Sequence, residues 1–131
     1  MSDVIDRFTA AIEAATIPDA RDVFADDAVL DATVPNWRFA LRGRAGVSEE
    51  LTGWYADPGQ FESLTRTDLP GGATLVQFVL TWDEHGEPHM CHQAHLIEHQ
   101  DGRITHDTVW CGGRWDSALM AQMAEANAVH A

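Results

Sequence analysis

Histidine, cysteine and carboxylate side chains concentrate in residues 88–115, in sequence that is typical of two β-strands. The Asp101-Gly102 dipeptide between them is a strong signal for a two-residue hairpin turn, because both central residues of a type I′ turn need a positive φ. With this turn Gln100 faces Arg103, and the register follows outward from that pair. One face then carries His92, Ala94, Leu96, Asp107, Val109 and Cys111. The other face carries Gln93, His95, Ile97, His106, Thr108 and Trp110, and the register alone leaves either face open to a pocket.

Acid/base chemistry is the first function that this hairpin suggests. If their face lines an apolar pocket, His92 and Asp107 are held toward their neutral forms, which suits proton transfer. They stand two pairs apart along the strands, about 7–10 Å, which is enough to straddle a small substrate. The alternative is a wall histidine and an aspartate that bond to neighbouring groups. We favour a functional role for Asp107, and both interpretations of His92 stay open.

The two cysteines suggest a weaker hypothesis. Cys111 opposes His92, and a cysteine beside a histidine can be activated as a thiolate. A small buried core cysteine is the favoured interpretation. In the predicted register Cys91 and Cys111 fall on opposite faces, so we expect free thiols, as in a reducing cytoplasm.

Six of the seven histidines fall between His85 and His106, which raises the question of a metal site. Strand geometry argues against one. His89 and His95 share a face but lie too far apart to chelate one ion, and only His95 and His106 are diagonal neighbours. We therefore predict no metal and favour a histidine-lined dimer interface.

Composition narrows the class of protein. The 131 residues suit one domain, and the hydrophobic fraction of 45% excludes a disordered chain. A formal charge of −13, from 21 acids and 8 bases that are all arginine, argues against nucleic acid as a partner and excludes lysine Schiff-base chemistry. The longest apolar run, residues 74–82, is too short to span a bilayer, and the N-terminus has no secretory signal. We expect no membrane association and a cytoplasmic location.

The elements that must position these side chains follow from hydrophobic periodicity and turn residues. Helices are predicted over residues 3–15, in a short segment from Pro18, over 45–55 and over about 117–127, the last as a cap or dimer element. Strands are predicted over 29–34, 37–42, 61–69 and 74–82, followed by the hairpin. Short connections predict an antiparallel meander. Its second strand presents an apolar face that the helices must cover: Val76, Phe78, Leu80 and Trp82.

Two segments carry a resemblance to a known family. VFADDAVL at residues 23–30 and DGRI at 101–104 resemble the nuclear transport factor 2-like superfamily, and LDATVP at 30–35 with GRWD at 113–116 resembles its polyketide-cyclase-like (SnoaL-like) branch. The resemblance implies a single α+β domain over residues 1–131. It implies a cone-shaped, strongly curved, mainly antiparallel sheet wrapped around the N-terminal helices, a cystatin-like α+β barrel with a cavity at its wide end. It also implies a homodimer formed through the sheet.

The superfamily includes ketosteroid isomerases, whose site residues test the resemblance. Alignment without gaps places the tyrosine position on Phe8, the proton-carrying aspartate on Ala32 and the hairpin acid on Ala94. None is retained, which argues against steroid isomerisation by that mechanism. The alignment does place Ala94, and with it His92 and Asp107, on the pocket wall. Asp31, beside Ala32, is either an inward catalytic group or a solvated charge on an edge strand.

These expectations combine into two hypotheses. The first is a cofactor-independent acid/base cyclase, isomerase or dehydratase acting on a small hydrophobic or polyketide-like molecule, with Asp107, His92 and Asp31 as catalytic candidates. Apolar and aromatic wall residues predict a hydrophobic ligand. They are Phe8, Trp37, Trp54, Tyr55, Trp82, Ala94, Leu96, Val109 and Cys111. The alternative is a non-catalytic ligand-binding or dimerisation module of the same fold.

Overall fold

Two helical segments open the chain, whose structure, a computed structural model, describes residues 3–128. Helix α1 spans Val4–Ala14 and is capped by Asp3, whose carboxylate accepts a hydrogen bond from the Asp6 amide at 3.0 Å. Its apolar stripe, which includes Ile5 and Phe8, is buried. A short 3-10 helix over Ile17–Val23 follows, with proline in its first turn. These segments supply the core that the sheet covers.

The rest of the described chain forms seven strands and two helices. The strands are β1 (Phe24–Val34), β2 (Trp37–Arg42), β3 (Gly59–Asp68), β4 (Thr74–Glu84), β5 (Glu87–Gln100), β6 (Arg103–Cys111) and β7 (Trp115–Asp116). Helix α2 (Arg44–Trp54) follows β2, and α3 (Ser117–Ala128) comes last. The sheet order is β2-β1-β6-β5-β4-β3, with β7 paired to β5. The β1–β6 pair is parallel and the other pairs are antiparallel. The predicted α+β architecture is confirmed, as a curved sheet that does not close.

The concave face of the sheet packs against α1, α2 and the 3-10 helix. The alternation in β4 correctly predicted that face, since Val76, Phe78, Leu80 and Trp82 are all buried. Within residues 3–128, no helix combines the length and the apolar character that crossing a membrane requires. Helix α3 buries none of its side chains, so its expected role as a cap or dimer element stays a prediction.

The hairpin turn forms as predicted, with φ of 54° at Asp101 and 76° at Gly102, and Gln100 pairs with Arg103. The register beyond it differs. His99 pairs with Ile104, but Glu98 pairs with His106, so Thr105 is an extra residue in β6 without a partner in β5. This β-bulge shifts the pairing by one residue, and a one-residue shift turns every following side chain to the other face.

The bulge changes which side chains of β5 share a face with Asp107. Cys91, Gln93, His95 and Ile97 face the core, whereas His92, Ala94 and Leu96 lie on the outer, convex face. The prediction that His92, Ala94 and Leu96 share the inner face with Asp107 is therefore wrong. Both cysteines are free, but their predicted placement on opposite faces is wrong as well, because each faces inward.

Candidate functional site

A cavity of about 290 Å³ opens where the concave face of the sheet meets the end of α2, close to the lower limit for small-molecule sites. Three aromatic side chains and one cation line it. The lining residues are Val34, Pro35, Gly53, Trp54, Tyr55, Leu80, Trp82, Cys91, Gln93, Cys111, Gly113 and Arg114. The wall is mainly apolar, with a few polar groups at defined positions.

A chain of buried hydrogen bonds leads from this cavity into the core. The Tyr55 hydroxyl donates to Gln93 Oε1 at 2.5 Å, and His95 Nε2 lies 2.9 Å from the same oxygen. On the other side of the ring, His95 Nδ1 lies 3.0 Å from both carboxylate oxygens of Asp107. His95 is 1% exposed and Asp107 is fully buried. The cavity wall is therefore connected to a histidine–aspartate pair that solvent does not reach.

The acceptors around His95 define where its protons lie. The Gln93 amide nitrogen donates to Cys111 Sγ at 3.3 Å, so its oxygen is the atom that faces the ring and Tyr55. Both ring nitrogens of His95 then face oxygen atoms, those of Asp107 on one side and that of Gln93 on the other. Hydrogen bonds of this kind replace the hydration that the buried imidazole and carboxyl groups lose.

Packing of phenylalanine rings holds the His95 ring in place. Phe78 on β4 stacks against it with a centroid distance of 5.4 Å, and Phe8 on α1 meets it edge-on at 5.9 Å. These two contacts fix the orientation of the imidazole.

Tyr55 is the member of this chain that combines a reactive hydroxyl with a place on the cavity wall. It follows the last turn of α2, which ends before the breakers Pro58 and Gly59. Burial raises the pKa of Tyr55 well above its usual value, and the negative charge of Asp107 raises the pKa further. The side chain is therefore a neutral phenol, which can donate a hydrogen bond or a proton but does not ionise near neutrality.

The two cysteine side chains on the cavity wall lack the lowered pKa of an activated nucleophile in the case of Cys91, and Cys111 acts as a hydrogen-bond acceptor. Burial raises the pKa of Cys91 to about 12, with a further contribution from Cys111. Cys91 is therefore a thiol near neutral pH, and the thiolate is the nucleophilic form. Cys111 accepts hydrogen bonds through Sγ from Gln93 and from the Gly113 amide at 3.4 Å. It supports the orientation of the Gln93 amide.

Comparison with known proteins identifies the architecture. No protein-family model matches the sequence, and no curated protein matches it significantly. Solved structures do match. A proposed isomerase from Bacillus subtilis superposes with a TM-score of 0.69 at 16% identity, covering 83% of this chain and 84% of that chain. A proposed polyketide cyclase from Xanthomonas campestris gives 0.65 at 18% identity, over 82% and 86%. A nuclear transport factor 2-like protein of unknown function from Mesorhizobium loti gives 0.63 at 18%, over 84% and 88%.

This chain has the nuclear transport factor 2-like fold. The resemblance drawn from its turn and strand motifs is thereby confirmed at the level of the fold. Identities of 16–18% describe the fold and not the reaction, because one fold carries many chemistries. The reaction has to be argued from the side chains at the cavity.

Within this nuclear transport factor 2-like fold, the wall residues predicted from sequence fall into separate places. Trp54, Tyr55, Trp82 and Cys111 line the cavity. Phe8 and Val109 are buried in the core behind it, so the predicted contact of Phe8 with the cavity is wrong. Trp37 is 68% exposed on the edge strand β2 and does not line the cavity either.

The predicted catalytic residues also separate. Asp107 faces inward but is covered by His95 and does not line the cavity. His92 lies on the outer face, where its ring packs on Trp115 at 4.8 Å. Asp31 is on the outer face of β1, and a two-point contact from Arg38 at 3.0 and 2.7 Å lowers the pKa of its carboxyl. Asp31 is therefore not an inward group. Its charge is paired with Arg38 on the outer face, but β1 lies between β2 and β6 and is not the edge strand that the alternative interpretation assumed.

His95 and His106 do not share the face that the predicted histidine-lined interface required, because His95 faces inward and His106 lies on the opposite face of the sheet. Among residues 3–128, no group of three histidine, cysteine, aspartate or glutamate side chains is arranged to hold a metal ion.

Sequence reasoning missed Gln93 and His95, although a usable signal was present. His85 and Gly86 both have positive φ and form a two-residue turn that pairs Glu84 with Glu87. Counting outward from that turn, the inward residues of β4 stand opposite Cys91, Gln93 and His95. The apolar alternation of β4 was already clear. The turn before β5 therefore predicts the orientation of β5 correctly, and the turn after it does not, because only the second hairpin contains a bulge.

Proposed function

We propose that this chain is an enzyme of the SnoaL-like kind that performs cofactor-independent acid/base chemistry on a small hydrophobic or polyketide-like carbonyl compound. Isomerisation, cyclisation and dehydration are the reaction classes. The observation that carries the proposal is the buried hydrogen-bonded chain that starts at Asp107 and reaches the cavity wall at Tyr55. Buried imidazole and carboxyl groups need hydrogen bonds to replace their hydration, and here those bonds form one chain to the cavity.

Tyr55 is the proposed catalytic residue. Its phenol lines the cavity and stays neutral, so its one O–H, which otherwise donates to Gln93 Oε1, can turn to a carbonyl oxygen of the substrate. The three reaction classes share one step, the loss of a proton from the carbon beside a carbonyl. A donor at the oxygen stabilises the negative charge that develops there. In this proposal water accepts the carbon proton, and Tyr55 supplies the proton or hydrogen bond at oxygen.

His95 and Asp107 are positioning residues that act through Tyr55. His95 Nε2 lies 3.3 Å from the Tyr55 oxygen, close enough to return a proton to the phenol after it has given its own to the substrate. Asp107, on the other side of the ring, holds the imidazole in the orientation that this return requires. Gln93 Oε1 contacts both the Tyr55 hydroxyl and His95 Nε2, and so holds the phenol and the imidazole next to each other.

The size and lining of the cavity support a flat apolar ligand. Trp54, Tyr55 and Trp82 provide aromatic surfaces, and Leu80 and Val34 add aliphatic ones. A conjugated or bicyclic ketone suits this wall better than a flexible polar metabolite. Two similar structures, a proposed isomerase and a proposed polyketide cyclase, are compatible with this proposal.

A specific observation favours the second candidate, a binding protein without catalysis. Neither His95 nor Asp107 lines the cavity, so the ion pair can be explained as a structural element of the core. The two candidates differ in one measurement, which is whether the protein exchanges carbon-bound protons of a ligand that it binds.

We expect the wild-type protein to speed the exchange of deuterium from D₂O into the carbon beside the carbonyl of bicyclic ketones such as 1-tetralone. Tyr55→Phe should slow this exchange by about 100-fold or more, the range for loss of a positioned acid or oxyanion donor. Mass spectrometry measures the exchange, and calorimetry measures binding. Equal rates in both proteins contradict the role of Tyr55, and binding without exchange supports the non-catalytic candidate.

A matched pair of histidine variants separates the proton chain from general effects on β5. His95→Gln should slow the exchange and change its pH profile, because the group that returns the proton is lost. His92→Gln removes the same side chain from the same strand on the outer face and should leave the rate unchanged. If both variants behave alike, the assigned role of His95 is wrong.

We also propose a cytoplasmic homodimer formed through the outer face of the sheet, where Trp110 is 47% exposed beside Ala94. Sedimentation velocity should show a dimer for the wild type and a monomer for Trp110→Glu. Trp37→Glu, a change of an even more exposed tryptophan on β2, should remain dimeric. A wild-type monomer contradicts this interface.

A further inference from the structure

Arg114 is the one charged side chain among the residues that line the cavity. Arg114 lies in the short connection between β6 and β7. Because β7 pairs with β5, the backbone of Arg114 lies at the rim of the sheet. The side chain is 54% exposed, which places it at the mouth and not in the depth. In a chain with a formal charge of −13, a lone cation on a cavity wall is a local exception that calls for a role.

The surroundings of Arg114 hold its guanidinium in a defined position. The group lies over the Trp82 ring, 5.3 Å from the ring centroid, and its Nη2 contacts Glu84 Oε1. Glu84 is itself fixed by the indole of Trp82, which donates to Oε1 at 3.0 Å. His89 stacks on the other side of this cluster against Trp82, at 5.7 Å. Stacking and pairing together pre-organise the arginine, which reduces the entropy lost when it binds an anion.

Most of the hydrogen-bonding capacity of this guanidinium is unused. An arginine carries five N–H donors in a planar fork, and within residues 3–128 Glu84 is the one hydrogen-bonding partner of Arg114. A carboxylate matches that fork in shape and charge. Glu84 contacts one nitrogen of the fork, which leaves the others for a ligand.

We propose that the ligand of this cavity carries a carboxylate, which binds Arg114 at the mouth while the apolar body of the ligand extends toward Tyr55. This inference takes from the proposed function only that the cavity is a ligand site. The substrate class becomes a small aromatic or conjugated keto acid rather than a neutral ketone. Glu84 has two effects: it orients the guanidinium, and its negative charge competes with the ligand for it.

Calorimetric titration with two probes of the same shape tests the proposal. 2-Naphthoate carries the carboxylate, and 2-naphthamide is its neutral counterpart. The wild-type protein should bind the acid about tenfold more tightly than the amide or better, as expected for a charge-assisted contact to arginine. Arg114→Gln should remove this preference and leave the affinity for the amide within about twofold.

Two control variants separate ligand recognition from a structural ion pair. Glu84→Gln removes the competing carboxylate and should raise the affinity for 2-naphthoate, whereas a purely structural pair predicts weaker binding in both Glu84→Gln and Arg114→Gln. Arg103→Gln removes an exposed arginine at the start of β6, outside the cavity lining, and should keep the preference. The proposal is overturned if the wild-type protein does not prefer the acid, or if Arg114→Gln keeps the preference.

The same measurements keep this inference distinct from the proposed function. If the protein prefers the acid but its exchange rate does not depend on Tyr55, the catalytic proposal is rejected and the carboxylate site is supported. If the exchange rate depends on Tyr55 but the protein does not prefer the acid, the carboxylate site is rejected and the catalytic proposal is supported.

Discussion

Replacing His95 with leucine should lower the free energy of unfolding at pH 7 by about 3–5 kcal/mol, the cost of leaving one member of a buried ion pair without its partner. Asp107 is fully buried, and within residues 3–128 His95 is its one side-chain partner. Leucine fills a similar volume, so a cavity does not explain the loss. Urea denaturation, followed by tryptophan fluorescence, measures it.

A double-mutant cycle shows whether the loss comes from the pair. The variant with both His95→Leu and Asp107→Val has no buried charge and should be more stable than His95→Leu alone, because apolar replacements of buried pairs are often neutral or stabilising. His92→Leu on the outer face should change stability by no more than about 0.5 kcal/mol. Additive effects of the two core changes would contradict a direct interaction between His95 and Asp107.

Deletion of Thr105 should abolish cooperative folding. Without the extra residue, β6 pairs with β5 in the register that an uninterrupted hairpin has. The turn before β5 and its pairing with β4 keep His95 and Ile97 facing the core, so Asp107 and Val109 then turn to the outer face. We expect a cost above about 4–5 kcal/mol, which single changes rarely reach and which is a large part of the stability of a domain. Near-ultraviolet circular dichroism and the loss of a sharp urea transition measure the effect.

Thr105→Ala is the control for the deletion, because it keeps the bulge and removes only the side chain. The Thr105 hydroxyl donates to the Glu98 carbonyl at 3.1 Å, so its loss should cost about 1 kcal/mol. A deletion variant that unfolds like Thr105→Ala would mean that β5 and β6 tolerate both registers. The bulge would then not be what brings Asp107 to the face of His95.

Local sequence predicted those parts of the molecule whose physics is local. The stripe of α1, the inward face of β4 and the turn at Asp101-Gly102 depend on neighbours within a few residues. The motif resemblance added the fold. The sequence of β5 carried no such signal, because both of its faces mix polar and apolar residues. The inward face has Cys91, Gln93, His95 and Ile97, and the outward face has His92, Ala94 and Leu96.

The candidate site was predictable only in part for the same reason. Tyr55 and Trp82 were expected on the wall because they are aromatic residues in a predicted helix and on the apolar face of a predicted strand. The partnership of Asp107 with His95, and through Gln93 with Tyr55, joins β6, β5 and the end of α2. Residues 38 and 40 positions apart meet there, and no local pattern records such contacts.

By itself the sequence determined an acidic, arginine-only chain with an α+β order of elements, a curved meander and an inward-facing apolar strand. The tertiary structure decided which histidine meets the aspartate. One unpaired residue, Thr105, changes the face of every residue that follows in the pairing, and whether a strand accommodates such a bulge depends on the packing of the whole sheet against α1 and α2. The identity of the site residues therefore follows from the packing of the fold and not from the spacing of the histidines.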